Sequence, residues 1–539
     1  MTKLRDSYMS EPTDRWHVAR AVFIFAICLL FVGAYYQSPL FTSNQNMYFL
    51  HGLARAGFGH LSSDWLAQQV DHVPVFGAMV ALVHKLDSHW LYYTIFGALV
   101  FIYAVSLLVI TAGSSTTTFR THHLLVFLSL LTLMHSTWML NPVSRLLPNW
   151  SQSMILQVQR ISHLSTNGLA GQYILGSYLQ PSAFGVLLIA SVALFVSKRE
   201  FGSILCAVFA ATINPTYILH TVVLTGAYIK ILVSERSGQK ATKIGVYSIL
   251  LILPIVLYVI LALNLTSDTV LSKAQTILVE ERIPHHAKIT EWFSNESYVQ
   301  LAILLIGVKL SRNRNRLFHI LLICSVVSIA LTILQMLTSN MGLALLFPWR
   351  LSTWLVPICA TAVLANISMT AANRIDAITH HRLRQIVRIF AVSMSVIFLL
   401  MACNLGLKNT VEDAIRKDRY EGTILSYAKI KSSSAQIYLI PLDLQDFRLV
   451  TGLPIFVDWK STPYRPVDLV EWYERVQLSR AYYEASNSVD AISTLDAIRN
   501  HTRITHVIVE KESDVLHAAM VGDYEFGDNM HVVYKLRNN

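Results

Sequence analysis

ARAVFIFAICLLFVGAYYQSPLFTSNQNMYFLHGLARAGFGHLSSDWLAQQVDHVPVF, residues 19–76, decides how the rest of the chain is read. Residues 19–36 are almost wholly apolar and approach the roughly 20 residues that carry an α-helix across a hydrocarbon core. The loop that follows is different in kind: it holds amides, histidines and two isolated carboxylates, Asp64 and Asp71. A polar loop of this length directly after a first span implies a membrane protein with its chemistry concentrated on one face.

The composition of all 539 residues agrees. Apolar residues make up 53% and charged residues 14%, where soluble domains average about 25% charge; mean hydropathy is +0.46. The chain cannot clothe itself in a polar surface, so it is expected to be an α-helical polytopic membrane protein. Spans are expected near 19–36, 90–112, 121–140, 173–196, 216–233, 244–265, 317–337, 350–369 and 386–405. Two shorter segments, 202–213 and 298–308, bring the count to about 11 transmembrane helices. Cys28, Cys206, Cys324, Cys359 and Cys403 all fall in apolar segments, which argues against a disulfide framework or thiolate metal site.

Charge orients the helices. With eleven spans, about 19 Lys and Arg residues fall on one side in short loops, and about 8 on the other in long loops. The positive-inside rule then makes the N-terminus cytoplasmic and the loops long on the outside, in a bacterial inner (plasma) membrane. The formal net charge of +10 is explained by this topology, so no nucleic acid partner is expected. The first span lacks a small-residue cleavage site and reads as a retained anchor.

The predicted domains are a transmembrane domain over 1–405, with a long outer first loop at 37–89, and a small C-terminal extracytoplasmic α/β domain over 406–539. In the latter, SSAQIYLIPLD (433–443), FRLVTGLPIFVDW (447–459) and ITHVIVEK (504–511) read as short strands. PVDLVEWYERVQLSRAYYEA (466–485) reads as an amphipathic helix opened by Pro466.

Nearly all unusual polar residues gather on the long-loop side, where nucleotide-activated sugars are absent and a lipid-linked substrate is the natural donor. Asp64 and Asp71 are candidate general bases. Asp64 also fits a helix cap after Ser62-Ser63, and Asp71 a turn before Pro74. His285 and His286 in ERIPHHAKITEW (281–292) suit a phosphate or, with no third ligand at a telling spacing, a divalent metal. Ordinary loop packing is the alternative. Arg350 in FPWR suits bidentate recognition of a lipid phosphate or an interfacial anchor beside Trp349. Arg145 and Arg160 are further candidate substrate contacts, or plain loop charges. VDWKSTPYR (457–465) is polar and aromatic enough for a ligand, or is a strand-to-helix loop.

With these residues in place, the layout resembles the GT-C superfamily of integral-membrane glycosyltransferases, and the first loop resembles that of the aminoarabinose transferase and protein mannosyltransferase type. In that type an acidic pair opens the loop, followed by a tyrosine, an Ala-Arg and Gly turn, and Asp-Trp. Here Asn44-Gln45 stand in the acidic positions, with Tyr48, Ala54-Arg55, Gly57 and Asp64-Trp65 after them. The resemblance implies a polyprenyl-phosphate-linked sugar donor, makes Tyr48 and Asp64 structural or substrate-side positions, and likens Arg350 to the arginines that hold the lipid phosphate; Asn44 and Gln45, as amides, suit the binding of sugar hydroxyls. Amides cannot take a proton near neutral pH, so the family's loop carboxylate does not carry over. NQNMYFLHG, LGSYLQPSAFG, INPTY, RIPHHA and VDWKSTPYR also resemble the DUF6798-type bacterial membrane family, which brings no defined activity. Two functions are therefore expected: sugar transfer from the lipid-linked donor to an outer acceptor, or binding of lipid-linked glycan without catalysis in envelope polysaccharide assembly. A transporter is less favoured, because the spans hold almost no ionisable residues at mid-depth.

Overall fold

Each of the eleven apolar segments contains a helix in the computed structural model, which describes residues 11–112, 121–141, 148–263 and 266–537, although 173–196 is helical only from Pro181 onward and so is shorter than the span expected there. They form Glu11–Ala34, Trp90–Ala112, Thr121–His135, Val186–Val196, Glu200–Ile213, Ile218–Ser234, Gly238–Tyr258, Asn295–Leu310, Asn315–Thr338, Ser352–Asp376 and His381–Ile415. Among the described residues, six helical stretches are long and apolar enough to cross a membrane: Trp90–Thr111, Pro215–Ser234, Gly238–Ala262, Asn315–Thr338, Met341–Asp376 and His381–Ile415. Several are left uncovered by protein. Only 17% of the most apolar window of His381–Ile415 is buried, and 22% of that of Gly238–Ala262. Ile249, Leu250, Ile386, Ile389 and Phe390 stand more than half exposed on them. Apolar surface on that scale requires a non-aqueous solvent, so this is a membrane protein.

The first loop is more ordered than its polarity suggests. It contains Leu50–Ala56, closed by Gly57 at φ 85°, and an unexpected apolar helix, Pro74–Lys85. Twelve residues are too few to span a bilayer; this helix instead buries Phe76, Val80 and Val83 within the main core.

Beyond Ile415 the chain builds a four-stranded sheet in the order β1-β2-β4-β3, with β1 Tyr438–Leu439, β2 His506–Glu510, β3 Gly522–Gly527 and β4 His531–Leu536. β1 and β2 are parallel, while β4 runs antiparallel to both β2 and β3. Pro466–Tyr483 is a helix with proline in its first turn, as its sequence dictates. FRLVT is not a strand but the short helix Phe447–Thr451, stopped by Gly452 at φ 73°; a short apolar run fits either structure until its partners are known. The apolar core here takes in Ala274, Ile277 and Leu278 from the 268–282 segment together with Trp472, Val476, Val507 and Val509.

The first loop and the C-terminal region are locked together. Asp64, fully buried, accepts from the backbone N–H of Leu66 and Ala67 at 3.0 and 3.2 Å. Its other oxygen accepts from Arg448 Nε at 3.0 Å and Ile455 N–H at 3.1 Å. Arg448 Nη1 in turn lies 2.8 Å from Asp458, which is also fully buried. Asn46 donates to Asp446 at 2.7 Å, and the Arg475 guanidinium sits 4.2 Å over the Trp65 ring. At the tightest crossing His60 N–H donates to Gly452 O at 2.7 Å. A Cβ on Gly59 would lie 2.5 Å from that same oxygen, so only glycine permits the approach.

Candidate functional site

Beside this junction, the segments bearing Tyr48, Tyr173, Arg282, Arg350 and Tyr464 bring cations and tyrosines together. The turn Pro348–Leu351 supplies Arg350. It follows Phe347, held at φ 49°, a conformation that an aromatic residue adopts only when its surroundings enforce it. Two residues on, Trp349 is fully buried. Arg350 lies 5.7 Å over the Tyr217 ring, its Nε is buried without a hydrogen-bond partner, and among the described residues no carboxylate forms an ion pair with it. Its charge acts on Tyr48, Tyr173, Tyr464 and His286.

Arg282 faces the same space. It donates from Nε to Thr462 Oγ1 at 2.8 Å and from Nη2 to the Lys460 carbonyl at 2.9 Å. Burial and the nearby Arg282 charge both push the Lys460 ammonium below its ordinary pKa. Burial also lowers Arg282, against the opposing pull of Tyr464 and Asp458. That Asp458 is already committed to Arg448. Burial raises the Tyr48 and Tyr464 phenols, with Arg350 opposing it in both, so both are neutral hydrogen-bond donors at neutral pH. Partly buried cations without a carboxylate of their own are stabilised by an anion. Phosphate, with several acceptor oxygens, fits guanidinium forks and phenol donors.

Burial, reinforced by His285, holds His286 down to about 4, and its Nδ1 lies 2.9 Å from the Ala170 carbonyl. Because the unfolded histidine titrates near 6.5, the unfolded chain gains a proton between pH 6.5 and 4 that the folded chain refuses. Stability is therefore expected to fall across that window, by an amount on the order of 3 kcal/mol for this residue. Thermal midpoints at pH 7 and pH 5 check this, since His286→Gln should show a smaller drop than the wild type.

The structure sorts the remaining candidates. Tyr48, His285, His286 and Arg350 belong to this cluster, and Asn44 reaches its margin by donating to Gln180 at 3.0 Å, two residues from Tyr178, whose hydroxyl lies 3.0 Å from that of Tyr173. Gln45 is buried in loop closure: it accepts from Phe41 N–H and donates to the Leu179 carbonyl. Arg160 is a surface residue paired with Glu296 at 3.2 Å, and Arg145 lies outside the described residues. Asp64 is fully buried with four donors around it. Asp71 is buried and bonded to Arg55 at 2.7 Å and Val73 N–H at 3.0 Å. No third metal ligand joins the His285–His286 pair among the described residues. Arg282, Lys460 and Tyr464 were not singled out by sequence, although the last two lie within VDWKSTPYR.

Fold and site together define a helical membrane protein with a cluster of cations and tyrosines drawn from several of its connecting segments. Residues 421–479, which supply Arg448, Asp458, Lys460 and Tyr464, match the family described as "Domain of unknown function (DUF6798)". Among solved structures the chain is similar to ArnT from Cupriavidus metallidurans bound to undecaprenyl phosphate, at 9% identity and a TM-score of 0.45, over 96% of this chain and 98% of that one. No curated protein matches this chain.

Proposed function

We propose that this protein holds the phosphate of a polyprenyl-linked sugar in the chamber around Arg350, on the extracytoplasmic face of a bacterial inner membrane. In this reading it binds lipid-linked glycan and does not transfer its sugar. One observation carries the proposal: Arg350, Arg282 and Lys460 converge with Tyr48 and Tyr464, while Asp458, the carboxylate whose charge reaches Arg282 and Lys460, is held by Arg448. A sugar acceptor must lose a proton as the glycosyl bond breaks. Asp64 is sealed by four donors, and Asn44-Gln45 cannot act as bases.

A transferring enzyme is the second reading, and Asp71 favours it. Its neighbour His72 stacks 4.4 Å from the Tyr464 ring, so a carboxylate stands one residue from the chamber wall. The two readings separate in nanodiscs given polyprenyl phosphate, the matching polyprenol, and a polyprenyl-phosphate sugar. Binding of the phosphate but not the alcohol, with no release of sugar to added acceptors, is the expected result. Sugar transfer that disappears in Asp71→Asn would establish the enzyme instead, and equal binding of alcohol and phosphate would reject both.

A further inference from the structure

The first loop carries a second cluster that the phosphate chamber does not use. His51, on the helix Leu50–Ala56, meets Asp71 and His72, in the turn ahead of Pro74; each offers one ligand atom, and the three atoms lie within 4.8 Å of one another. We propose that His51, Asp71 and His72 form a structural site for one divalent transition-metal ion of the Zn²⁺ type.

Three features of the cluster support this. First, the donor set is two imidazoles and one carboxylate, which suits Zn²⁺ and its neighbours and not the all-oxygen sites of Ca²⁺ or Mg²⁺. Second, the outer partners that orient metal ligands are present. His51 Nδ1 lies 3.2 Å from the Ala67 carbonyl, which leaves Nε2 as the nitrogen with the free lone pair when Nδ1 carries the proton. Asp71 accepts from Arg55 and Val73 N–H, one bond on each oxygen, and each oxygen keeps a second lone pair. Such outer bonds fix tautomer and ring direction around bound metals. Third, His72 Nε2 is buried and has no hydrogen-bond partner. Leaving such an atom unmatched costs about 1–3 kcal/mol, whereas a bound cation satisfies it.

The surroundings suit a closed site. Asp71 and His51 are nearly inaccessible, and the rings of Tyr48 and Tyr464 lie 5.5 and 4.4 Å from that of His72. Arg55, about half exposed, can swing out as the ion's charge arrives. The ion would join the two ends of the Asp64 segment, and so hold in place the stretch that docks on Arg448.

The test uses the full-length protein in nanodiscs, stripped with chelator and titrated with Co²⁺ as a spectroscopic probe. One Co²⁺ per chain, with a visible absorption band that Zn²⁺ displaces and a thermal midpoint that rises on metal addition, is the expected result. His72→Phe keeps a ring between Tyr48 and Tyr464 but removes the ligand, and affinity should drop by at least about a hundredfold. Should that variant fail to fold, His51→Phe decides in its place. Wild-type protein that takes up no Co²⁺ beyond the ring-substituted variant, or a variant that binds as tightly as wild type, overturns the site. Polyprenyl phosphate plays no part in the measurement, so its outcome is independent of the reading of the chamber.

Discussion

Arg448→Ala is expected to lower the stability of the protein by about 3–5 kcal/mol, the range for removing one partner of a buried ion pair. The guanidinium lies between two fully buried carboxylates, 3.0 Å from Asp64 and 2.8 Å from Asp458. Without it, Asp64 keeps three backbone donors, but Asp458 keeps only the turn around Ser461, whose N–H lies 2.5 Å away. Burial already raises the Asp458 pKa, and Arg448 is the main influence opposing that rise. In the variant Asp458 should therefore bind a proton more readily in the folded than in the unfolded chain. Stability should recover as pH falls through its folded pKa, and the deficit should be largest above it. Thermal unfolding in detergent at pH 5 and pH 8 measures both effects. Limited proteolysis should show residues beyond Ile415 opening first, since Arg448 joins them to the first loop. Loss of less than about 1 kcal/mol would mean that the pair contributes no more than an exposed one.

Arg350→Ala should leave folding intact and weaken binding of polyprenyl phosphate about a hundredfold. A charge-assisted hydrogen bond contributes about 1.5–3 kcal/mol, and each 1.4 kcal/mol is tenfold in affinity, so loss of a bidentate contact accounts for at least that factor. Arg350 forms no ion pair among the described residues and its Nε has no partner; removing it therefore breaks no internal bond beyond its packing on Tyr217. Arg350→Lys should fall between the two, because it keeps the charge and loses the planar fork. Binding isotherms with polyprenyl phosphate, read beside thermal midpoints of the apo proteins, give both numbers. Unchanged affinity in Arg350→Ala would remove the phosphate from this chamber.

How much of this was readable beforehand depends on the range of each interaction. Apolar runs and caps are local, so the helices and the first-turn role of Pro466 follow from the residues themselves. The capping of Leu66 and Ala67 by Asp64 is equally local, and Ser62-Ser63-Asp64 signals it. The Asp64–Arg448 bond spans 384 positions in sequence, and no periodicity reports such a partner. β3 and β4 were missed because their hairpin exposes Asp523, Tyr524 and Met530 and lacks an unbroken apolar face. FRLVT misled because five apolar-rich residues fit a strand as well as a buried turn of helix. FPWR draws attention to Arg350 because an arginine between aromatic residues and an apolar helix is visible locally. Arg282 and Lys460 become meaningful only once folding brings their two segments to the same wall.

The Gly59–Gly452 crossing and the Asp64–Arg448 bond also set an order of events during synthesis. Tyr48, Arg282 and Arg350 are all made before Lys460 and Tyr464, and the chamber closes only when the last quarter of the chain folds back over the first loop. A ribosome must therefore deliver every membrane helix before the group of cations and tyrosines around Arg350 is complete.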